Sequence, residues 1–400
     1  MPHIKALVYV STAFCNCQEN ETVLEEVYPT LYEPDFIIEL VQKMTPEEIQ
    51  EATPGLLKDH PNTYSFSKQL AENLVKSERR ALPVAIVRPT IVLGTAKEPM
   101  SGWIDNVHTG GFAFIAGAGK GVFRVSCAEP DFVADLVPCD HVANLLIAAA
   151  WSAAVKSGDA DLQVYHCSSG AHNPITWGQY TREVVSLVRR FPCRSVLWYP
   201  GAQCRTAVPR VALVVLLRHM LPAYLLRLLS GGDDELLKIQ KKYWRGIQHV
   251  RYFTTRQWRF STINTLALAR QLCPRDRVTF AFDVASIHWP AYLESNVLGV
   301  RQHYHHDPPS TLKEARWKLR VYVYVTDVLY CSANTPMLLA LPGIAVRADV
   351  FPSQPADTQH VGEFRLISGD RAILPLAMIP VGCRLRGKLM KWLLIQVEND

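Results

Sequence analysis

The sequence predicts an α/β chain, a parallel sheet with crossing helices followed by a mainly helical region. Three observations predict it. The apolar run Ile4 to Val10 reads as a strand and ends at the hydroxyl pair Ser11-Thr12. Tyr64-Ser65-Phe66-Ser67-Lys68 then places a phenol and an ammonium one helical turn apart, on one face. A second apolar run, Leu82 to Gly94, reads as a buried strand carrying Arg88-Pro89. Strand with hydroxyl, helix with Tyr and Lys, strand with Arg-Pro: that order is the second half of a dinucleotide-binding α/β fold.

Each element has a local cause. Pro61-Asn62-Thr63 is a helix start, a proline turn followed by polar caps. Leu70, Ala71, Leu74 and Val75 continue an apolar face from it. Glu19 to Lys58 is polar and broken by prolines, so it is expected to be mostly connecting, with a helix near Glu47 to Ala52. Val142 to Ala154 reads as a helix and Gln163 to Ser168 as a strand. Pro174-Ile175-Thr176-Trp177 looks like a capped helix start. Val208 to Leu229 is the most apolar stretch. It carries Arg210, Arg218 and Arg227 with Pro209 and Pro222, whereas a spanning helix needs about twenty residues with few charges. An in-plane amphipathic helix, or one covering a tunnel, fits better; the plainer alternative is a core helix pair broken at Pro222. Leu236 to Tyr243, Ser261 to Leu272 and Leu312 to Leu319 are helix candidates, with Trp258, Trp289 and Trp317 expected in the core.

Bulk numbers bound the rest. Four hundred residues at 48% hydrophobic can bury a large core. A net charge of +5 is mild and gives no sign of a nucleic-acid partner; it suits an anionic substrate or an anionic membrane surface. The arginines between Arg182 and Arg227 read as a solvated or interfacial face. Ten cysteines without paired Cys-x-x-Cys spacing imply free thiols in a reducing compartment. No charged-plus-apolar leader is visible. His303, His305, His306 and Asp307 read as a hydrated turn before Pro308-Pro309, and no metal site is expected.

The Tyr/Lys pair points to chemistry. A phenol is a poor acid or base near neutrality, because its reference pKa is about 10. A neighbouring lysine cation favours the phenolate and lowers that value. A hydroxyl of the Ser11-Thr12 pair can hold a substrate oxygen in line. Together they are what a reductase needs to protonate a carbonyl oxygen while hydride reaches carbon.

The segments YVSTAFCNC (Tyr9 to Cys17), PNTYSFSKQLAE (Pro61 to Glu72) and LPVAIVRPTIV (Leu82 to Val92) extend this pattern. They continue with KEPMSGWIDN (Lys97 to Asn106), GAGKGVFR (Gly117 to Arg124) and DFVADLVPCDHVANLLIAAAW (Asp131 to Trp151). With Tyr252 to Tyr304, these segments resemble the alcohol-forming fatty acyl-CoA reductases, the male-sterility-protein family of extended short-chain dehydrogenase/reductases. The resemblance covers most of positions 3 to 330. It implies a Rossmann-like parallel sheet that is truncated at its N-terminus, since the family's Gly-rich turn has no counterpart near Met1. It places Gly117 to Gly121 as a glycine loop on the substrate side.

The resemblance also implies a domain plan. A reductase domain would span 1–200, a membrane-associated or tunnel-covering segment 201–235, a helical family domain 236–330 and a divergent tail 331–400. NADPH would be the cofactor and a long-chain fatty acyl-CoA the substrate, reduced to a fatty alcohol. Thr12, Tyr64 and Lys68 would be catalytic. Tyr64, Lys68, Pro89, Thr90 and Ile91 would meet the cofactor. The protein would be membrane-associated, facing the cytosol at the peroxisome or endoplasmic reticulum. Loss of the phosphate loop would impair turnover, leaving a non-catalytic acyl-CoA or membrane-binding remnant as one alternative and another extended dehydrogenase as the other.

Overall fold

A computed structural model describes residues 4–18, 22–80, 82–105, 110–156, 161–229 and 234–321. Its strands are β1 (Leu7–Val10), β2 (Thr22–Val23), β3 (Val84–Pro89), β4 (Ile91–Leu93), β5 (Val125–Cys127), β6 (Leu136–Pro138), β7 (Gln163–Cys167), β8 (Gln203–Arg205) and β9 (Arg259–Phe260). Helices in the first half are α1 (Pro34–Lys43), α2 (Pro46–Leu57), α3 (Thr63–Glu78), α4 (Gly110–Gly119), α5 (Cys139–Val155) and α6 (Trp177–Arg190). Those in the second are α7 (Val208–Val215), α8 (Leu221–Leu229), α9 (Glu235–Thr254), α10 (Ile263–Gln271), α11 (Pro274–Thr279) and α12 (Trp289–Gly299). A last helix runs over 312–321. The chain is α/β with a helical C-terminal region, as the sequence predicts.

The central sheet is parallel, in the order β1-β3-β7, with Tyr9 opposite Ile86 and Ile86 opposite Val164. All six residues of β3 are buried, as expected for the middle strand of a parallel sheet covered on both faces. Helix α5 lies across the three strands and sinks Val142, Leu145 and Ala149 into the main core. Pairs β2-β9, β4-β6 and β5-β8 are also parallel. Residues Met1–Pro336 form one compact unit; the second, Met337–Asp400, lies outside the described residues together with the expected tail at 331–400.

Several expectations need correction. Leu82 to Gly94 is two strands, not one, because Thr90 breaks the run. Its amide and hydroxyl turn to the Cys167 carbonyl at 3.0 and 3.2 Å, and the hydroxyl also reaches Asp135 at 3.0 Å. β4 then pairs with β6 instead of β7. Glu19 to Lys58 is not mostly connecting. Pro34 and Pro46 occupy first-turn positions, where a missing N–H costs nothing, so they start α1 and α2. Thr45 and Glu48 close a reciprocal cap on α2. Gly117 to Gly119 is the end of α4, not a loop. Gly121, at φ +76, ends that helical region and lies too close to the Trp198 carbonyl for any side chain.

The apolar stretch is not broken at Pro222. A π turn, Leu216–Met220, joins α7 to α8 just ahead of the proline. Helix α9 runs well beyond the expected Leu236 to Tyr243, and α10 begins two residues after Ser261. Trp317 is 57% exposed and not core, while Trp258 and Trp289 are half-buried and donate to the Cys17 carbonyl and to Asn173. The His303 to Asp307 segment is not a hydrated turn throughout. Asp307 is buried and ion-paired with Arg194 at 2.8 Å, and burial lowers His305 to about 4. Among the described residues no cluster of three metal-ligating side chains occurs, the eight cysteines are free thiols, and no helix is long and apolar enough to cross a membrane.

Candidate active site

The site forms where β1 ends. Ser11 stays in the ladder, its amide donating to the Val87 carbonyl at 2.8 Å. Thr12 then caps a 3-10 turn, Ala13–Asn16, and its hydroxyl accepts from the Phe14 amide at 3.3 Å. Across from it, Asn62 caps α3 by accepting from the Ser65 amide at 2.9 Å. That cap fixes Tyr64 in the first turn and Lys68 one turn later.

The Thr12 hydroxyl lies close enough to the Tyr64 phenol to favour its ionised form, and Tyr64 is 54% exposed. The Lys68 ammonium donates to the Val10 carbonyl at 2.9 Å and sits 5.1 Å from the Tyr9 ring centre. Thr12, Tyr64 and Lys68 are therefore together, between one strand end and one helix turn. Ser11 is not with them, because its hydroxyl faces Cys15 at 3.9 Å. Burial pushes the Tyr64 phenol above its ordinary value, and the nearby Thr12 hydroxyl offsets this in part. The expected lowering by Lys68 is absent from this geometry. The ammonium is drawn to the strand carbonyl instead, and the phenol holds its proton at neutral pH.

Pro89, Thr90 and Ile91 form a closed corner. The Thr90 amide is spent on Cys167 and the Ile91 amide on the Asp135 carbonyl. The Thr90 hydroxyl goes to Asp135 and Cys167 and so does not join the Tyr64 group. Asp135 is buried and also accepts from Ser168 at 2.6 Å and from the Ser169 amide at 2.7 Å; burial raises its carboxyl despite these bonds. The amides of Thr90 and Ile91 and the Thr90 hydroxyl are therefore not free for a ligand.

Sequence reasoning missed the group behind the site. Glu72, two helical turns after Tyr64, is fully buried against Arg88 in a bidentate pair, 2.8 Å from Nε to Oε1 and 2.6 Å from Nη2 to Oε2. Arg88 also donates to the Leu24 and Glu26 carbonyls and to Nε2 of His166 at 3.1 Å. His166 must then donate from Nδ1 to the Ser261 carbonyl at 2.7 Å, and burial beside Arg88 holds it neutral, lowered to about 3. The Cys15 thiol lies 3.3 Å from Glu72 and is raised by burial and by that carboxylate. A signal was present: one arginine in an otherwise apolar strand needs a buried anion, and Glu72 falls on the face of α3 that carries Lys68.

A nicotinamide dinucleotide fits the open part of this arrangement. An ammonium has three donors. The Val10 carbonyl takes one from Lys68, which leaves donors for a ribose diol beside the exposed Tyr64 ring. A separate cleft of about 200 Å³, lined by His172, Thr262, Leu266, Arg270, Phe282 and Asp283, lies against β7 and contains none of Thr12, Tyr64 or Lys68.

Comparison with known proteins agrees with the resemblance. An NAD-binding family profile described as Male sterility protein matches residues 1–146, and a second profile of that description matches residues 218–307. Fatty acyl-CoA reductase 2 of Bos taurus is 36% identical over 324 residues, 80% of this chain and 62% of that protein. Fatty acyl-CoA reductase 1 of Xenopus laevis is 35% identical over 319 residues, 79% of this chain and 61% of that protein. The chain thus spans about three-fifths of the length of these curated relatives. Among solved structures, the terminal R domain from the myxalamid PKS-NRPS biosynthetic pathway aligns at TM-score 0.42 with 17% identity, covering 75% of this chain and 58% of that one. By these two profiles and these relatives, the chain belongs to the male sterility protein family, together with the fatty acyl-CoA reductases.

Proposed function

We propose that this protein reduces a long-chain fatty acyl-CoA to the fatty alcohol, with NADPH as reductant. The observation that carries this reading is the convergence of the Thr12 hydroxyl and the Tyr64 phenol at the end of β1, with Lys68 anchored one turn away on the same helix. Reduction of a thioester to a primary alcohol takes two hydrides and two protons and releases the CoA thiol. The nicotinamide, when bound, supplies the hydrides.

The chain's own residues do the rest. Thr12 is held by its cap position, so its hydroxyl can orient a carbonyl oxygen without swinging away. Tyr64, protonated at neutral pH, donates its proton to that oxygen as negative charge develops there. Lys68 carries the fixed positive charge beside this position and offers its remaining donors to the ribose. The Glu72–Arg88 pair locks α3 to β3, which keeps the phenol in register with the strand end.

The test uses the full chain with hexadecanoyl-CoA and NADPH, following 340 nm absorbance and fatty alcohol by mass spectrometry. Wild type should yield alcohol. Tyr64→Phe should lower kcat by about 10² to 10⁴, the usual worth of a general acid. Absence of both aldehyde and alcohol from the wild type, or undiminished turnover by Tyr64→Phe, overturns the proposal. Running NADH in parallel tests the cofactor: turnover as fast as with NADPH would remove the phosphate-bearing form from it.

A further inference from the structure

Helix α7, the π turn and α8 form one continuous rod from Val208 to Leu229. Its inner side is regular. Val211, Val215, His219 and Ala223 are buried at intervals of four. Twelve residues of ideal α-helix overshoot three turns by about 120°. The wider π turn takes up most of that drift, so all four residues face inward. Val211 and Val215 pack with Val125, Tyr243 and Ile247, while His219 stacks on Tyr243 and bonds Gln240 of α9 at 3.0 Å.

The same re-phasing aligns a second apolar ridge, which faces out. Leu213, Leu216, Leu217, Leu221, Tyr224 and Leu228 are 54, 56, 52, 45, 47 and 63% exposed. Soluble surfaces scatter such residues singly, and a contiguous ridge of them marks a contact surface. Its charges are of one sign. Between Val208 and Leu229 the sequence holds Arg210, Arg218 and Arg227 and no acidic residue. Helix α9, packed beside it, adds exposed Lys238, Lys241 and Lys242. Across 208–251 eight basic residues stand against three acidic ones, a surplus equal to the net +5 of the whole chain. Among the described residues, Arg210, Arg218, Lys238, Lys241 and Lys242 form no ion pair.

We propose that this rod lies flat on an anionic lipid bilayer, the leucine ridge among the acyl chains and the flanking cations at the phosphates. The charge decides the occupant. An apolar helix of a partner protein would satisfy the leucines and leave the cations unmatched, whereas an anionic leaflet meets both. Two prolines and three arginines keep the rod in the plane of the interface. The proposal goes beyond the reductase reading and does not depend on it.

The test is sedimentation of the full chain with vesicles of phosphatidylcholine containing 30% phosphatidylserine. Wild type should bind, more weakly as salt rises, and bind pure phosphatidylcholine less. Leu217→Glu/Leu228→Glu should lower the partition coefficient at least tenfold, with circular dichroism unchanged because both sites are exposed. Lys241→Gln/Lys242→Gln should weaken binding only on the anionic vesicles, which keeps the proposal testable if the glutamate variant misfolds. Leu31→Glu, at an exposed leucine outside the rod, should bind as wild type. No binding by wild type, or equal binding by the glutamate variant when folded, overturns the proposal. So does a concentration-dependent dimer that only the glutamate variant abolishes, since the ridge would then belong to a second copy.

Discussion

Replacing Arg88 by methionine should unfold this protein more readily than any surface change. The substitution removes two charge-assisted bonds to Glu72 and the donors to His166, Leu24 and Glu26. Glu72 is then a fully buried carboxylate with the Cys15 thiol as its remaining side-chain partner, 3.3 Å away. Breaking one side of a buried pair costs about 3–5 kcal/mol. Urea unfolding followed by far-ultraviolet circular dichroism measures it. The double variant Glu72→Gln/Arg88→Met removes the stranded charge and should be more stable than Arg88→Met alone. A single variant within about 1 kcal/mol of wild type, or a double variant whose cost equals the sum of the singles, would refute the reasoning.

Other outcomes follow from the same structure. His166 and His305 are lowered to about 3 and about 4, so between pH 6.5 and these values the unfolded chain binds more protons than the folded one. Stability should then fall as pH drops through this window, by about 1.4 kcal/mol per pH unit for each histidine, and His166→Gln should flatten the slope of urea midpoint against pH by about one proton. Gly299→Ala should cost about 2 kcal/mol or more in a thermal scan, because a Cβ there overlaps the Gly102 carbonyl oxygen and Gly102, at φ +77, cannot readily give way. Among the described thiols Cys273 is the exposed one, while burial raises Cys17 and Cys167 to about 12 and Cys193 to about 11. Brief iodoacetamide treatment at pH 7.5 and peptide mass mapping should find Cys273 modified well before these three.

The sequence makes the site more legible than the scaffold around it. Tyr64 and Lys68 sit one turn apart behind an asparagine cap, and both signals are local, so helix and face can both be read. The fold class follows from the alternation of apolar runs with that helix. Less legible is whatever depends on partners distant in sequence. Thr90 ends β3 because Asp135, forty-five residues later, claims its hydroxyl. Lys68 turns to the Val10 carbonyl because the strand end offers it an acceptor, which no spacing rule weighs against the phenol. Pro34 and Pro46 read equally well as breaks or as helix starts until the chain on either side is placed. The π turn leaves no compositional mark, although the four-residue interval of Val211, Val215, His219 and Ala223 is its trace in the sequence.

The kink at Thr90 has a consequence for how the molecule responds to change. One short stretch of chain answers to two sheets, β3 to the central one and β4 to its pairing with β6. Neither ladder can slide by a residue without dragging the other out of step, so the corner between them behaves as a fixed post. A change in either pairing is therefore felt at the other, through Thr90.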